Sequence, residues 1–245
     1  MADNKYLAPI RAIIFDMDGT IVDTEHVWGS ATKKPLMARG RHTFTSEEEA
    51  MLDSFSGCSI EEWAFQVKEA FGFEDDHLVI ASEAVANAAE GFASRVPFIE
   101  GFEKFHALIS DYELKSGIAT NTKQHAFDNI IEKMEFRTFF GQHLYCVDHV
   151  GGLAKPDPAI FLHVAEQLNV HPSECLVFED SVFGFDAAKA AGMRCVGIRN
   201  RRNRAHIGRV DYVVDNYHDA IVLLHELLKE VQVIQPTSLD IQQAQ

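Results

Sequence analysis

The stretch Ile13-Ile14-Phe15-Asp16-Met17-Asp18-Gly19-Thr20 decides how the chain is read. A short apolar run bounded by a turn signal predicts a buried strand, and Gly19 permits a sharp departure from it. Two carboxylates, one residue apart, are thereby delivered to the carboxyl end of a strand. That is the edge at which open α/β sheets bind ligands. Charges this close repel, and each raises the pKa of the other. A bound cation removes the conflict, and hard carboxylate oxygens suit Mg²⁺. One carboxylate can then act as a nucleophile while the other works as acid and base. Solvated aspartates capping a strand would give the same local pattern, so the pair needs support from elsewhere.

Three further segments supply it. Ser116-Gly117-Ile118-Ala119-Thr120-Asn121-Thr122 reads as a strand ending in hydroxyl and amide groups. Gly151-Gly152-Leu153-Ala154-Lys155-Pro156-Asp157-Pro158 is a loop with a single lysine before a proline. Cys175-Leu176-Val177-Phe178-Glu179-Asp180-Ser181 is a strand ending in two more carboxylates. A hydroxyl, a fixed cation and a second acidic pair are the parts that phosphoryl transfer requires, since the transferred group must be positioned and its charge offset.

With these four segments in order, the chain resembles the haloacid dehalogenase-like (HAD) hydrolases from about residue 10 to about residue 230. Asp16-Met17-Asp18-Gly19-Thr20 matches the first motif of that family, Thr120 the second, Lys155 the third, and Glu179-Asp180 the fourth. Val22-Asp23-Thr24-Glu25, followed by a long insert, resembles the phosphatase and β-phosphoglucomutase-like branch with a helical cap. The resemblance implies a doubly wound parallel α/β sheet, a Rossmann-like core of strand order 3-2-1-4-5, with an inserted α-helical cap domain.

Composition agrees. A chain of 245 residues can bury roughly 70–75% of its unfolded surface, enough for one large domain or two small ones. The formal charge of −15 argues against nucleic acid as a partner, since such proteins carry a basic face. An acidic chain can still bind a small phosphate where a local lysine and Mg²⁺ set the field. No apolar stretch reaches the roughly 20 residues of a membrane span, and Met1-Ala2-Asp3-Asn4-Lys5 lacks a secretory apolar region. Cys58, Cys146, Cys175 and Cys195 include no Cys-x-x-Cys pair. Buried free thiols and a cytoplasmic location are expected.

Residues 11–15, 114–119, 143–147, 175–179, 194–198 and 211–214 read as strands, with helix-length segments between most of them. That alternation predicts a parallel sheet with helices on both faces. The first connection is the exception: about 90 residues follow Thr20 before the next core strand, too many for a simple crossover. Thr45-Ser46-Glu47-Glu48-Glu49 and Cys58-Ser59-Ile60-Glu61-Glu62 look like helix starts. Ala81 to Ala93 is alanine-rich and favours helix. The expected organisation is a core of residues 1–23 and 96–230, a cap of residues 24–95 and a tail of residues 231–245. The linkers would be Asp23-Thr24 and the region from Ser94 to Pro97, a natural hinge for a closing lid. The basic run Arg199-Asn200-Arg201-Arg202-Asn203-Arg204 reads as a solvated loop.

The resemblance assigns roles by position. Asp16 would attack phosphorus and form an aspartyl-phosphate, and Asp18 would serve the leaving alcohol and the hydrolytic water as acid and base. Asp16, the backbone carbonyl of Asp18 and Asp180 would hold Mg²⁺, with Glu179 a second ligand or a partner through water. Thr120, the amide of Asn121 and Lys155 would bind the phosphoryl group. Trp28, close to the linker, is the first candidate for touching substrate from the cap, ahead of Lys33, Lys34, Ser56, Gly57 and Cys58. Ser181, which follows the acidic pair, would cap the next helix or support the metal shell without being catalytic. The expected activity is Mg²⁺-dependent hydrolysis of a small phosphomonoester, with sugar or polyol phosphates favoured. A β-phosphoglucomutase is the alternative. Mutases usually carry a histidine twelve residues after the nucleophile, where this chain has Trp28. A dehalogenase would lack the second aspartate, present here as Asp18, and a non-catalytic protein on this fold would show a damaged site.

Overall fold

The computed structural model describes residues 8–92 and 96–234. The first strand, β1 (Ala12–Phe15), lies at the centre of a parallel sheet with β2 (Lys115–Thr120) on one side and β4 (Cys175–Glu179) on the other. The remaining strands are β3 (Leu144–Cys146), β5 (Arg194–Ile198) and β6 (Tyr212–Val214), giving the order β3-β2-β1-β4-β5-β6. The five-strand order implied by the resemblance is present, and β6 extends it at the β5 edge.

A strand covered on both faces reads as a continuous apolar run, and β1 is buried at every residue. Side chains alternate between faces. Ile13 and Phe15 join one core cluster, and Ala12 and Ile14 join the other. β4 divides the same way, with Leu176 and Phe178 against Cys175 and Val177. The first cluster is covered by α5 (Phe102–Asp111), α6 (Gln124–Met134), α7 (Arg137–Phe140) and α10 (Tyr217–Ile234). Phe15 stacks on Phe178 at 5.4 Å between ring centroids, and Tyr217 stacks on Phe178 at 5.7 Å. The Tyr217 hydroxyl donates to the carbonyl of Thr20 at 3.0 Å, which ties this aromatic core to the loop after β1. The second cluster is covered by α8 (Ala159–Gln167) and α9 (Val182–Ala190). Helix α10 runs to Ile234, past the boundary expected at 230. The rest of the expected tail lies outside the described residues.

Between β1 and β2 stand α1 (Glu25–Ala38), α2 (Ser46–Ser54), α3 (Ile60–Phe71) and α4 (His77–Gly91). They share a cluster of their own around Leu36, Trp63, Val67 and Ile80. Both sequence-read helix starts are capped. Thr45 and Glu48 form a reciprocal capping box, and the Ser59 hydroxyl accepts from the Glu62 amide at 3.2 Å. Helix α2 differs from its neighbours in carrying no buried residue. Ser94, in the second expected linker, lies outside the described residues. The described part of that linker runs beside the first: the Asp23 amide donates to the Pro97 carbonyl at 2.9 Å, and Val22 bridges to Phe98.

Candidate active site

The carboxyl edge of the sheet brings the four sequence segments together. Asp16 and Asp18 leave β1, Thr120 ends β2, and Glu179 and Asp180 leave β4. Gly19 turns the chain with φ +76°, and a β-carbon there would overlap the Asp180 carboxylate. Only glycine therefore lets the first acidic segment approach the last.

Lys155 enters from the loop before α8 with its side chain 1% exposed. Its Nζ lies 2.6 Å from Asp16 Oδ1 and 2.6 Å from Glu179 Oε1, and 4.7 Å from the centre of the Phe161 ring. Burial favours a neutral amine, but the two carboxylates outweigh it and hold the Lys155 pKa above its ordinary value. Lys155 is thus an ammonium locked between two acids.

Asp16 is pushed up to a pKa of about 7, first by burial and then by the charges of Glu179 and Asp18, with Lys155 opposing. Asp180 is pushed well above the usual carboxylate range by burial and by the charges of Glu179 and Asp16. Burial raises Asp18 as well, against hydrogen bonds from Trp28, Thr24 and Thr122 that favour its charged form. Four carboxylates thus face one buried ammonium. Oxygens of Asp16, Glu179 and Asp180 all lie within 4.8 Å of one another. Hard oxygen donors in a site short of positive charge fit a cation such as Mg²⁺.

The donors are not equivalent. Glu179 Oε1 binds Lys155, while Oε2 accepts from the amides of Asp180 and Ser181, both at 2.8 Å, and from the Ser181 hydroxyl at 3.0 Å. Its hydrogen bonds organise the lysine and the turn after β4. Asp16 and Asp180 are the better placed donors to a cation. Ser181 also accepts from the Gly184 amide at 3.0 Å and so caps α9.

Trp28 stands on the first turn of α1, its ring edge-on to Phe92. Expected as a substrate contact, it donates its indole Nε1–H to Asp18 Oδ1 at 2.9 Å. The other oxygen of Asp18 accepts from the Thr122 hydroxyl at 3.0 Å. Thr120 is buried, and its hydroxyl accepts from the Thr122 amide at 3.1 Å. Asn121 bridges two loops: its Oδ1 accepts from the Lys155 amide at 2.9 Å, and its Nδ2 donates to the Gly57 carbonyl at 3.1 Å.

A cavity of about 730 Å³ opens over these groups. Lys33, Ser56, Gly57 and Cys58 line it from the helical insert, whereas Lys34 pairs with Glu90 at 2.8 Å. Burial pushes the Cys58 thiol up to about 12, so it is no nucleophile near neutral pH. Gly57 has φ +91°, and a β-carbon there would overlap Ser181, so the insert rests directly on the turn after β4.

The basic run departs from the solvated loop expected of it. Asn203 is 1% exposed, and the side chains of Asn200 and Asn203 both donate to Asp180. Arg201 and Arg202 reach Asp53 on α2. Thr122, Asn200 and Asn203 were not singled out from sequence. The signal for Asn200 was position, since it follows β5 at the sheet edge that carries the site.

The sequence model for haloacid dehalogenase-like hydrolases matches residues 13–198. Fructose-1-phosphate phosphatase YqaB of Escherichia coli is 29% identical over 190 residues, covering 76% of this chain and 95% of its own. A phosphorylated carbohydrates phosphatase of Thermotoga maritima is 27% identical over 195 residues, covering 79% and 88%. Among solved structures, a β-phosphoglucomutase of Clostridium difficile superposes with a TM-score of 0.75 at 25% identity, covering 91% and 99%. The family match spans every one of the four acidic, hydroxyl and lysine segments now seen around one cavity, and the chain belongs to the haloacid dehalogenase-like hydrolases.

Proposed function

We propose that the protein is a Mg²⁺-dependent phosphatase that hydrolyses a small phosphomonoester through an aspartyl-phosphate on Asp16. The observation that carries this reading is the division of labour between two aspartates one residue apart. Asp16 is fixed by Lys155 at 2.6 Å, and Asp18 is held by Trp28 and Thr122 on a different set of donors. Two carboxylates in different environments are suited to different roles.

Asp16 attacks phosphorus and displaces the alcohol, which splits hydrolysis into two easier steps. Lys155 offsets charge on the phosphoryl oxygens, and the Thr120–Asn121 corner orients them. Asp18 gives its proton to the departing oxygen and later takes one from water. Burial raises its pKa, the direction an acid needs. Asp16 and Asp180, with the backbone carbonyl of Asp18, would hold Mg²⁺, which when bound supplies positive charge to the phosphoryl oxygens and relieves the repulsion among the acids. The helical insert, α1 to α4, forms the cap and supplies selectivity above the site.

Sugar or polyol phosphates are the favoured substrates, because relatives named as phosphatases of fructose 1-phosphate, phosphorylated carbohydrates and 6-phosphogluconate match across most of this chain. The β-phosphoglucomutase neighbour makes phosphoryl transfer back to a sugar the second reading. Trp28 argues against it, since this side chain holds Asp18 at the place where a mutase has its histidine. A screen of metabolite phosphates with and without Mg²⁺ tests the proposal. It predicts Mg²⁺-dependent phosphate release from at least one sugar or polyol phosphate, and full turnover after exhaustive chelation would overturn it.

A further inference from the structure

We infer that the turn Asn200-Arg201-Arg202-Asn203 is a positioning device that couples the seating of helix α2 to the orientation of Asp180. The inference rests on the role proposed above for Asp180.

The turn closes on itself. The Asn200 amide donates to Asn203 Oδ1 at 3.1 Å, and the Asn203 amide donates to Asn200 Oδ1 at 2.8 Å. Each asparagine oxygen is thus engaged inside the turn, and each Nδ2 turns to Asp180. Asn200 Nδ2 donates to Asp180 Oδ2 at 2.8 Å and to the Asp180 carbonyl at 3.1 Å. Asn203 Nδ2 donates to the same carbonyl at 2.8 Å and to the Ile198 carbonyl at 3.0 Å. Backbone and carboxylate of Asp180 are therefore both gripped from one side. Gly19 lies against the same carboxylate, where a β-carbon would overlap it. The asparagine donors thereby orient Asp180.

The two residues between the asparagines face the insert. Arg201 forms a two-point pair with Asp53, Nη1 to Oδ2 at 2.6 Å and Nη2 to Oδ1 at 3.0 Å. Arg202 reaches the same carboxylate at 3.4 Å and Glu25 of α1 at 3.7 Å. These arginines are engaged by acids of the insert, which leaves the run little capacity as an anion patch. Asp53 lies on α2, the helix with no buried residue. Its hold on the core depends correspondingly more on such polar ties. Residues that orient metal ligands are commonly worth about 10- to 100-fold in metal affinity. The exposed Arg201–Asp53 pair acts one step further out, where ion pairs contribute about two- to fivefold.

The test is calorimetric Mg²⁺ titration of the full chain without substrate, for wild type, Asn200→Ala, Arg201→Ala, Asp53→Ala and the Arg201→Ala/Asp53→Ala double variant. Asn200→Ala should weaken Mg²⁺ binding about tenfold or more. Arg201→Ala and Asp53→Ala should each weaken it about two- to fivefold, and the double variant no further than Asp53→Ala alone, which already removes the ties of both Arg201 and Arg202. In turnover assays the Arg201 and Asp53 variants should need more Mg²⁺ for half-maximal rate, and saturating Mg²⁺ should recover kcat. Lost packing alone would not be recovered by metal. Arg201 is exposed on the surface, so its variant keeps the test clear of folding defects. Unchanged affinity in Asn200→Ala overturns the positioning role. Unchanged affinity in the Arg201 and Asp53 variants, or independent additive losses, overturns the coupling. A wild type that binds no Mg²⁺ fails earlier, at the proposed function itself, and takes the inference with it.

Discussion

Replacing Lys155 with methionine removes the one ammonium that two buried carboxylates share, while keeping a flexible side chain of similar length. Lys155 Nζ lies 2.6 Å from both Asp16 and Glu179, and the side chains are 1%, 10% and 1% exposed respectively. Water cannot readily replace the lost partner. Breaking a buried pair by deleting one member costs about 3–5 kcal/mol, because the remaining charge is left uncompensated. The sign of the pH dependence follows from Asp16. Its pKa is pushed up to about 7 even with Lys155 present, so at pH 5 it is largely neutral and needs its partner less. At pH 8 it is charged and needs it most. Urea unfolding in chelator should therefore show Lys155→Met destabilised by about 3–5 kcal/mol at pH 8 and by clearly less at pH 5. Added Mg²⁺ should narrow the gap at pH 8, since a second cation stands in for the first. A loss below about 1 kcal/mol at pH 8, the value of an exposed pair, would refute the reasoning, as would an equal loss at both pH values.

Three further outcomes follow from the same geometry. Trp28→Phe keeps the ring against Phe92 and deletes the donor to Asp18. A hydrogen bond to a charged group is worth about 1.5–3 kcal/mol, so kcat/KM should fall roughly 10- to 100-fold. The pKa of the Asp18 step should move up in the pH–rate profile, because the lost bond favours the charged form; an unmoved profile at wild-type rate would remove Trp28 from the site. In metal-free protein, Asp16 binds its proton more tightly folded than unfolded, so its contribution to stability is full below its ordinary value of 3.8 and lost as pH rises through about 7. Chemical unfolding from pH 4 to pH 8 should show that fall, with Mg²⁺ stabilising most at the upper end; stability rising across the window would contradict the burial of Asp16. Finally, a coupled assay with glucose-6-phosphate dehydrogenase should find no conversion of β-glucose 1-phosphate to glucose 6-phosphate, even with a bisphosphate activator. Isomerisation faster than phosphate release would promote the mutase reading.

Much of this was legible because its causes are local. β1 is apolar at every residue since both faces are covered, and the turn at Gly19 follows from two residues of context. The capping box at Thr45 and the N-cap at Ser59 are likewise short-range. What stayed hidden depends on side chains meeting across the fold. The resemblance already implies Asp180 as a metal ligand and leaves Glu179 open; that Glu179 ties Lys155 to the turn after β4 depends on contacts across the fold. Trp28 sits at a readable distance from Asp16, but its bond to Asp18 depends on how α1 leaves the first linker. The basic run looked like a solvated loop by composition. Only the fold reveals that its asparagines turn inward to Asp180 and that Arg201 and Arg202 turn outward to Asp53.

The central claim is that Asp16 carries the phosphoryl group. The most direct measurement is peptide mass spectrometry on Asp18→Asn, quenched in acid during incubation with a turnover-competent phosphomonoester and Mg²⁺. Without Asp18 to activate water, the intermediate should accumulate. The account predicts one phosphoryl group on the peptide containing Asp16, labile to hydroxylamine and absent when Asp16→Asn is added to the same chain. Mg²⁺-dependent turnover by the wild type with phosphate on another residue, or undiminished turnover by Asp16→Asn, would contradict it.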